Sequence, residues 1–482
     1  MQNNKLILQN MRKLLIPILL FAVVINCHAS EPRKTIVSGH IEHTKLFPGQ
    51  HTITVKMFDY GAGLVSYSGE IDKKGNFKIK FDQYVPQDVM LTQSGWASPI
   101  VEAMIVHPGD SVFMSLDYKN INEVKFSGSN AKENADLQTY TTSNYSKTDE
   151  PGSKNAPKNL QDIQQFCKAL KIDLMKKRKQ FIDKKAANKE LQTWTLHDIQ
   201  LRYYLELTSL TYHYATSFED LMQRSKTITY GTDLEEIYNN RLLNGRGYTL
   251  LRYLLPPVDK EAIKPEERIK LRLQNVANSP YNSLTKQMLT ASVFQLVLSG
   301  HDIDDADQNR QLIDANILEP FIKQPLLKYY QSIKENVDDP KITATGWISS
   351  GNTVLDSVIA QNKDKIIYVD IWATWCGPCR AEMPNAEKLK QQYKGKNVAF
   401  AAICLGSTKK EWKTLVADLK LSPGQYYSDA KSVQKTILTT LHINAFPHYM
   451  IVNKDGGIIS AGNGLRPSDP LTSKTLDKLL AN

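Results

Sequence analysis

The chain has 482 residues, of which 41% are hydrophobic and 23% charged, and it contains five cysteines. This composition is typical of a globular protein with several domains, and it excludes a disordered chain, a multispan membrane protein and a small disulfide scaffold. The formal net charge is +10. No interleaving of basic and aromatic residues accompanies it, so we expect no nucleic-acid partner.

Residues 1–29 have the features of an export signal. A basic n-region precedes the apolar run Leu14–Ile25, which is shorter than the roughly 20 apolar residues that a membrane-spanning helix needs. Small residues at the −3 and −1 positions favour cleavage after Ala29. Two alternatives stay open: acylation of Cys27 as a lipid anchor, although Asn26 before it is not the usual small residue, and an uncleaved anchor. All three predict a protein of the periplasm or cell envelope.

Residues 35–130 alternate apolar and polar side chains in short runs separated by turn signals such as Pro108-Gly109-Asp110. This regular spacing predicts an all-β, β-sandwich-like domain with a structural or docking role. The predicted strands are 35–43, 51–60, 65–72, 75–83, 89–94, 100–107 and 111–118.

Residues 131–339 follow as a helical region. After a polar loop at 143–158, apolar residues recur at three- and four-residue steps, which is typical of amphipathic helices. Cys167 falls on the first of these helices and is expected to be a core residue. An acidic cluster at 302–307 lacks the glycine and terminal glutamate of a calcium loop, so we expect the start of a helix there. The predicted helices are 160–182, 196–215, 233–254, 266–277, 282–299 and 308–333.

Residues 340–482 predict an α/β domain. The apolar run Ile366–Trp372 is typical of a buried central strand, a helix follows at 376–393, and the next strand is 398–405. Two further helices are predicted at 409–420 and 431–441. A hairpin of strands 448–452 and 458–461 follows, and a helix at 471–480 closes the domain. This block carries 18 Lys/Arg and 11 Asp/Glu, a surplus of +7. Solubility accounts for such a surplus, and the alternative is electrostatic steering of acidic partner proteins toward this block.

Cys376 and Cys379 form a Cys-Gly-Pro-Cys motif where the buried strand gives way to the helix. A thiolate rather than a thiol attacks a disulfide, and the N-terminus of a helix stabilises that thiolate. The two-residue spacer lets Cys379 resolve a mixed disulfide on Cys376. The alternative is half of a zinc site, but no second Cys-x-x-Cys is present and Cys404, His442 and His448 are the only nearby candidates, so we expect no metal.

Three further residues support a redox site. Asp370, on the preceding strand, could accept the proton of Cys379, although a purely structural hydrogen-bonding role is the alternative. Pro447 follows Phe446 directly before a strand, where proline cannot join a central ladder, so a cis bond and a bend are expected. Glu382 lies one helical turn beyond Cys379 and could tune both thiols, unless it is an ordinary exposed charge.

The segment Asp370–Pro384, with its Trp-Cys-Gly-Pro-Cys-Arg-Ala-Glu-Met-Pro core and Phe446-Pro447 downstream, resembles the thioredoxin superfamily, and its flanks resemble the TlpA/ResA-type reductases of the bacterial cell envelope. The arrangement of signal, β domain, helical spacer and TlpA-like end resembles envelope reductases of Bacteroidetes-type bacteria. The resemblance implies Cys376 as attacking thiol, Cys379 as resolving thiol, Asp370 as buried acid, Glu382 as helix glutamate and Pro447 as cis-proline.

The same resemblance implies that Trp375, Gly377, Pro378 and Phe446 contact the substrate. Phe446 is bulkier than the usual residue before the cis-proline. The end of the 398–405 strand also lacks the acidic residue common in TlpA-like members, and Cys404 there is expected to be a buried thiol.

The resulting hypothesis is a disulfide reductase that needs no cofactor, acts on protein thiols and disulfides of the envelope, apo-cytochromes among them, and receives electrons from a membrane thiol donor. Two alternatives stay open. One is a disulfide oxidase or isomerase that uses the same cysteines. The other is an envelope binding protein in which residues 35–339 recognise a partner and the redox domain is accessory.

Overall fold

The computed structural model describes residues 31–46, 51–93, 99–144, 159–226, 228, 230–240, 245–255, 258, 265–340, 353–428, 431–441, 443, 445–462 and 464–481. The predicted signal peptide and Cys27 lie outside these residues. The chain folds into two compact units: one spans 1–296 with 308–329, the other 297–307 with 330–482. Among the described residues, no helix combines the length and apolarity that crossing a membrane would require.

The first unit begins with a β-sandwich. Its two four-stranded sheets have the orders β4-β1-β7-β8 and β3-β2-β5-β6. Side chains alternate between buried and exposed along most strands, and the buried set of both sheets, including Val37, Ile53, Phe81 and Met114, forms one core. The strands are β1 (Arg33–Glu42), β2 (Thr52–Asp59), β3 (Gly63–Glu70), β4 (Asn76–Gln83), β5 (Gln87–Gln93), β6 (Val101–Val106), β7 (Ser111–Asp117) and β8 (Asn120–Gly128).

Helices follow the sandwich, and most of them lie in the same unit. Sequence periodicity missed β8, which pairs antiparallel with β7, and the helix α1 (Ala131–Asn144) that comes next. The helices of the central region are α1, α2 (Leu160–Lys185), α3 (Lys189–His213), α4 (Phe218–Ser225), α5 (Thr232–Asn239), α6 (Gly245–Leu254), α7 (Pro265–Ala277), α8 (Ser283–Leu298), α9 (Ile303–Gln308), α10 (Gln311–Asn316) and α11 (Pro320–Asp338).

The kind of secondary structure changes near residues 130 and 339, as the sequence indicates, from β to α and from α to α/β. The β block and most of the helical block nevertheless lie in one compact unit. The boundaries 35–130, 131–339 and 340–482 therefore remain predictions as domain limits.

The second unit contains a five-stranded sheet of order β11-β10-β9-β12-β13. Strands β9 (Ile366–Trp372), β10 (Val398–Cys404) and β11 (Gln425–Tyr427) are parallel to one another. Strand β12 (His448–Val452) pairs antiparallel with β9, and β13 (Ile458–Gly462) pairs antiparallel with β12. All seven residues of β9 are buried, because apolar clusters pack on both faces of the sheet.

Five helices accompany this sheet: α12 (Val354–Gln361), α13 (Gly377–Gln392), α14 (Lys409–Asp418), α15 (Lys431–Thr440) and α16 (Pro470–Ala481). The predicted βαβ order with a hairpin and a closing helix is confirmed. Two elements were not predicted from the sequence: α12, whose Thr353 and Asp356 form a capping box, and the three-residue strand β11.

Candidate active site

Cys376 occupies the N-cap position of α13, immediately after the turn that ends β9. Its sulfur accepts a hydrogen bond from the backbone N–H of Cys379 at 3.2 Å. The helix itself begins at Gly377, and Pro378 sits where a missing N–H costs nothing, because the first N–H groups of a helix have no partner within it. The helix N-terminus therefore favours negative charge on this sulfur when the pair is reduced.

Cys376 and Cys379 form a disulfide with their Cα atoms 5.3 Å apart. Cys376 is 4% exposed and Cys379 1% exposed, so both are buried and Cys376 is the less buried residue of the pair. The two belong to an apolar cluster with Trp372 and Cys404. A partner can therefore reach Cys376 first, while Cys379 is placed to attack from within.

Trp375 and Phe446 form an aromatic pair beside the disulfide. Trp375 is 67% exposed, and its indole N–H donates to the carbonyl of Gly406 at 2.7 Å. The ring centroids of Trp375 and Phe446 are 5.7 Å apart. The Phe446–Pro447 bond is cis, as predicted, and β12 begins directly after it.

Asp370 lies on β9, opposite Ala402 of β10 and Tyr449 of β12. It is 8% exposed, and its Oδ1 has no hydrogen-bond partner among the described residues. Burial, with a smaller contribution from the charge of Glu382, raises the pKa of Asp370 from 3.8 to about 7. The carboxyl group can therefore both take and release a proton near neutral pH.

Glu382 is held in place rather than free in solvent. Its carboxylate accepts hydrogen bonds from the backbone N–H of Ser468 at 3.1 Å and from the Ser468 hydroxyl at 2.8 Å. A guanidinium nitrogen of Arg466 lies 3.8 Å from Glu382 Oε1. No sequence signal pointed to Ser468 or Arg466, since they are more than 80 positions from Glu382. The structure thus links the helix glutamate to the loop before α16 and, by its charge, to Asp370.

The two remaining described cysteines are buried, as predicted. Cys404 ends β10 within the cluster that contains the disulfide, and burial raises its pKa to about 11. Cys167 is buried on α2, where burial raises its pKa to about 12. Neither thiol is poised to ionise near neutral pH, which separates them from the Cys376–Cys379 pair.

One group of metal-ligating side chains occurs among the described residues: Glu42, His43 and Asp117, at adjoining ends of β1 and β7. This group was not predicted from the sequence, because Asp117 is remote along the chain. The group is largely exposed, and His43 Nδ1 lies 2.6 Å from Asp117 Oδ1 as an ordinary surface pair. Asp302, as predicted, directly precedes a helix, α9.

A family model of thioredoxin-like proteins matches residues 364–458. The thiol-disulfide oxidoreductase ResA of Bacillus cereus is 29% identical over 97 residues, which cover 20% of this chain and 54% of that protein. The chain contains a TlpA/ResA-like domain of the thioredoxin superfamily. All the predicted site residues lie within this thioredoxin-like segment.

Two further proteins are similar to part of the chain. The thioredoxin-like protein YneN of Bacillus subtilis is 41% identical over 61 residues, covering 13% of this chain and 35% of that protein. A solved structure of the thioredoxin domain of a thiol-disulfide oxidoreductase from Bacteroides vulgatus is 26% identical, covering 25% of this chain and 83% of that chain, with a TM-score of 0.23. The chain spans about half or less of the length of these curated relatives.

Proposed function

We propose that this protein is a thiol–disulfide oxidoreductase of the cell envelope that acts mainly as a disulfide reductase on protein clients. The observation that carries the proposal is Cys376 at the N-cap of α13 with Cys379 one turn behind it. This arrangement supports an ionised, accessible sulfur and a buried partner that can resolve a mixed disulfide. The predicted export signal supports the envelope location.

The reaction begins from the reduced pair. The Cys376 thiolate attacks one sulfur of a client disulfide, forming a bond to it and releasing the other client sulfur as a thiolate that takes a proton from water. Cys379 then loses its proton to Asp370, and the new thiolate attacks the Cys376 sulfur. The bond between Cys376 and the client breaks, and the departing client sulfur takes a proton from water. The client thus leaves with two thiols, and the Cys376–Cys379 disulfide remains.

A membrane thiol donor would return two electrons and two protons to the disulfide and complete the cycle. The exposed ring of Trp375, with Phe446 beside it, supports a role in contacting the client chain, together with the first helical residues Gly377 and Pro378. Cis-Pro447 lies directly beside Phe446 in the chain and is itself buried. The acid Asp370 and the held carboxylate of Glu382 support proton transfer behind the disulfide.

The test is to trap the intermediate in the full chain. With Cys379→Ala, mixed disulfides between Cys376 and client proteins should accumulate, because the resolving thiolate is missing. Mass spectrometry of non-reduced gels would identify them, and the double variant that also carries Cys376→Ala is the control. A Cys379→Ala protein that captures no client through Cys376 would overturn the proposal.

The direction of electron flow is tested separately by the reduction potential. A value near that of thioredoxin, about −270 mV, fits a reductase, whereas a value above about −180 mV would favour an oxidase or isomerase. Equilibration with glutathione or dithiothreitol buffers measures it.

A further inference from the structure

A cavity of about 210 Å³ lies within the first compact unit, between one sheet of the sandwich and the helices α3 and α6. Strands β2, β5 and β6 supply the sheet wall, mainly with side chains such as Lys56 that alternate with the core residues Val55 and Met57. Sites for drug-sized molecules occupy roughly 300–1,000 Å³. The smaller volume here limits an occupant to a correspondingly small molecule.

Five charged side chains among the described residues line this cavity, although charged groups are rarely covered unless they are paired. Two of them pair with each other: Arg246 Nε lies 2.9 Å from Asp198 Oδ1, and Asp198 is 2% exposed. A third, Asp88, accepts hydrogen bonds from the backbone N–H of Gly245 at 2.9 Å and from the indole N–H of Trp194 at 3.1 Å. These bonds hold the charged wall in a defined geometry.

The other two charged side chains, Lys56 on β2 and Glu102 on β6, form no ion pair or hydrogen bond with the residues that the structure describes. Strand β5 lies between β2 and β6, and its Met90 is the cross-strand partner of Lys56. An ammonium group and a carboxylate therefore face one cavity without meeting. A ligand that carries both complementary charges would bridge them.

The carboxylates of this cavity favour a cation. Burial raises the pKa of Asp88 to about 7 and raises the pKa of Glu102 above its ordinary value. Each carboxylate is thus short of solvation, and a bound ammonium group would stabilise its charged form. For a ligand carboxylate, Lys56 is the complementary cation, because Arg246 already pairs with Asp198.

Apolar side chains occupy the space between these charges. Phe58 on β2, Met90 on β5 and Leu205 on α3 line the cavity and are partly exposed. Contact with them favours a ligand with an aliphatic portion over a bare ion, because burial of apolar surface is favourable and such side chains offer no hydrogen bonds.

We propose that this cavity binds a small zwitterion of the α-amino acid class that has an aliphatic side chain. The ligand carboxylate pairs with Lys56, and its ammonium group lies between Glu102 and Asp88. The aliphatic side chain packs against Phe58 and Met90. This binding is independent of the proposed redox function, since every residue named for it lies in the first unit.

Isothermal titration calorimetry of the full chain with L-leucine tests the proposal. Leucine should bind with a stoichiometry of one per chain. Isocaproate, which is leucine without its amine, and isoamylamine, which is leucine without its carboxylate, should each bind at least about tenfold more weakly, because each leaves a charged side chain unpaired. The dipeptide leucyl-leucine, whose two charges are further apart, should also bind more weakly than leucine.

Two variants assign the ends of the ligand. Lys56→Met should weaken leucine binding about tenfold and leave isoamylamine binding unchanged, because that amine has no carboxylate. Glu102→Gln should weaken the binding of leucine and isoamylamine and leave isocaproate binding unchanged. The matched controls are Lys80→Met and Glu123→Gln, at exposed positions of the other sheet, and they should change no affinity.

The indole N–H of Trp194 gives a second readout, because it donates to Asp88. Its proton NMR resonance, assigned by comparison with Trp194→Phe, should shift when leucine or isoamylamine is added. Isocaproate should leave it in place, since this acid brings no ammonium group to Asp88.

The ligand series on the wild-type chain decides the proposal even if a variant fails to fold. Absence of leucine binding at millimolar concentration would overturn it, and so would equal affinity for leucine and either of its truncated analogues. Tighter binding of leucyl-leucine than of leucine would overturn the assignment to an amino acid. A Lys56→Met or Glu102→Gln variant that is folded by circular dichroism and keeps the wild-type affinity for leucine would contradict the proposed contacts.

Discussion

Asp370 sits in the middle of a strand whose residues are all buried, and one of its carboxyl oxygens lacks a hydrogen-bond partner within the described part of the chain. Water solvates the Asp370 carboxylate in the unfolded chain but not in the folded protein. Ionisation of this group therefore destabilises the folded state.

The pKa of Asp370 rises from 3.8 to about 7 on folding, so between these values the folded state binds more protons than the unfolded state. Stability is then greatest at acidic pH and falls as the pH rises toward and through 7. Asp370→Asn should remove this dependence and stabilise the protein at pH 8 by on the order of 2–4 kcal/mol.

Urea denaturation at pH 5 and pH 8 measures this effect. Asp418→Asn, an exposed aspartate of α14, is the matched control and should leave the pH dependence intact. A wild-type protein as stable at pH 8 as at pH 5, or an Asp370→Asn variant with the wild-type pH dependence, would contradict the assignment.

At the scale of elements, side chains join segments that are distant in sequence. His107, after β6, lies 2.7 Å from Glu190 in the first turn of α3 and 3.1 Å from Asp110 before β7. These contacts connect the sandwich to the helical block within one compact unit. The hydrogen bond to Glu190 is the main reason that the pKa of His107 is raised above 6.5, and Asp110 adds to it.

His107→Gln should therefore destabilise the protein by about 1–2 kcal/mol at pH 6 and by less at pH 8. The direction of this pH dependence follows from the raised pKa of His107. The stabilisation from the charged imidazole is fully present below pH 6.5 and is lost as the pH rises through the pKa of the folded state. Thermal unfolding at both pH values measures it, with His40→Gln as an exposed control. If His107→Gln lost the same amount of stability at both pH values, the contact between His107 and Glu190 would not be ionic.

Local signals in the sequence predicted the elements that position the disulfide. The apolar run of β9 and the Cys-Gly-Pro-Cys motif fix a strand, a turn and a helix start within a dozen residues. The bonds from Ser468 to Glu382 and the cavity between Lys56 and Glu102 could not be predicted, because each depends on segments that only folding brings together. Strand β11 was missed because three residues are too few to display a period.

At the scale of the whole molecule, the positive charge is concentrated in residues 340–482, whose surplus is +7. Lys409, Lys410 and Lys413 lie on α14, and none of them forms an ion pair within the described residues. The N-terminus of this helix is close to the disulfide, because Ser407 accepts a hydrogen bond at 2.9 Å from the backbone N–H of Thr374.

We expect this charge to accelerate encounter with acidic clients. A variant with Lys409→Glu and Lys413→Glu should react about tenfold more slowly with an acidic disulfide peptide at low salt, and the difference should shrink near 0.5 M NaCl. Lys454→Glu, in the turn at the far end of β12 from the site, is the control. If the rate of reaction with the acidic peptide did not depend on salt concentration, electrostatic steering by these lysines would be contradicted.

The burial of Cys167 and Cys404 has a practical consequence for following this protein. Of the four cysteines that the structure describes, only Cys376 sits at a helix N-terminus that favours a thiolate, so in the reduced, folded protein we expect it alone to react with a water-soluble alkylating reagent. The label added to Cys376 before denaturation thus reads out the oxidation state of the pair directly, and the labels added to Cys167 and Cys404 after denaturation serve as an internal standard.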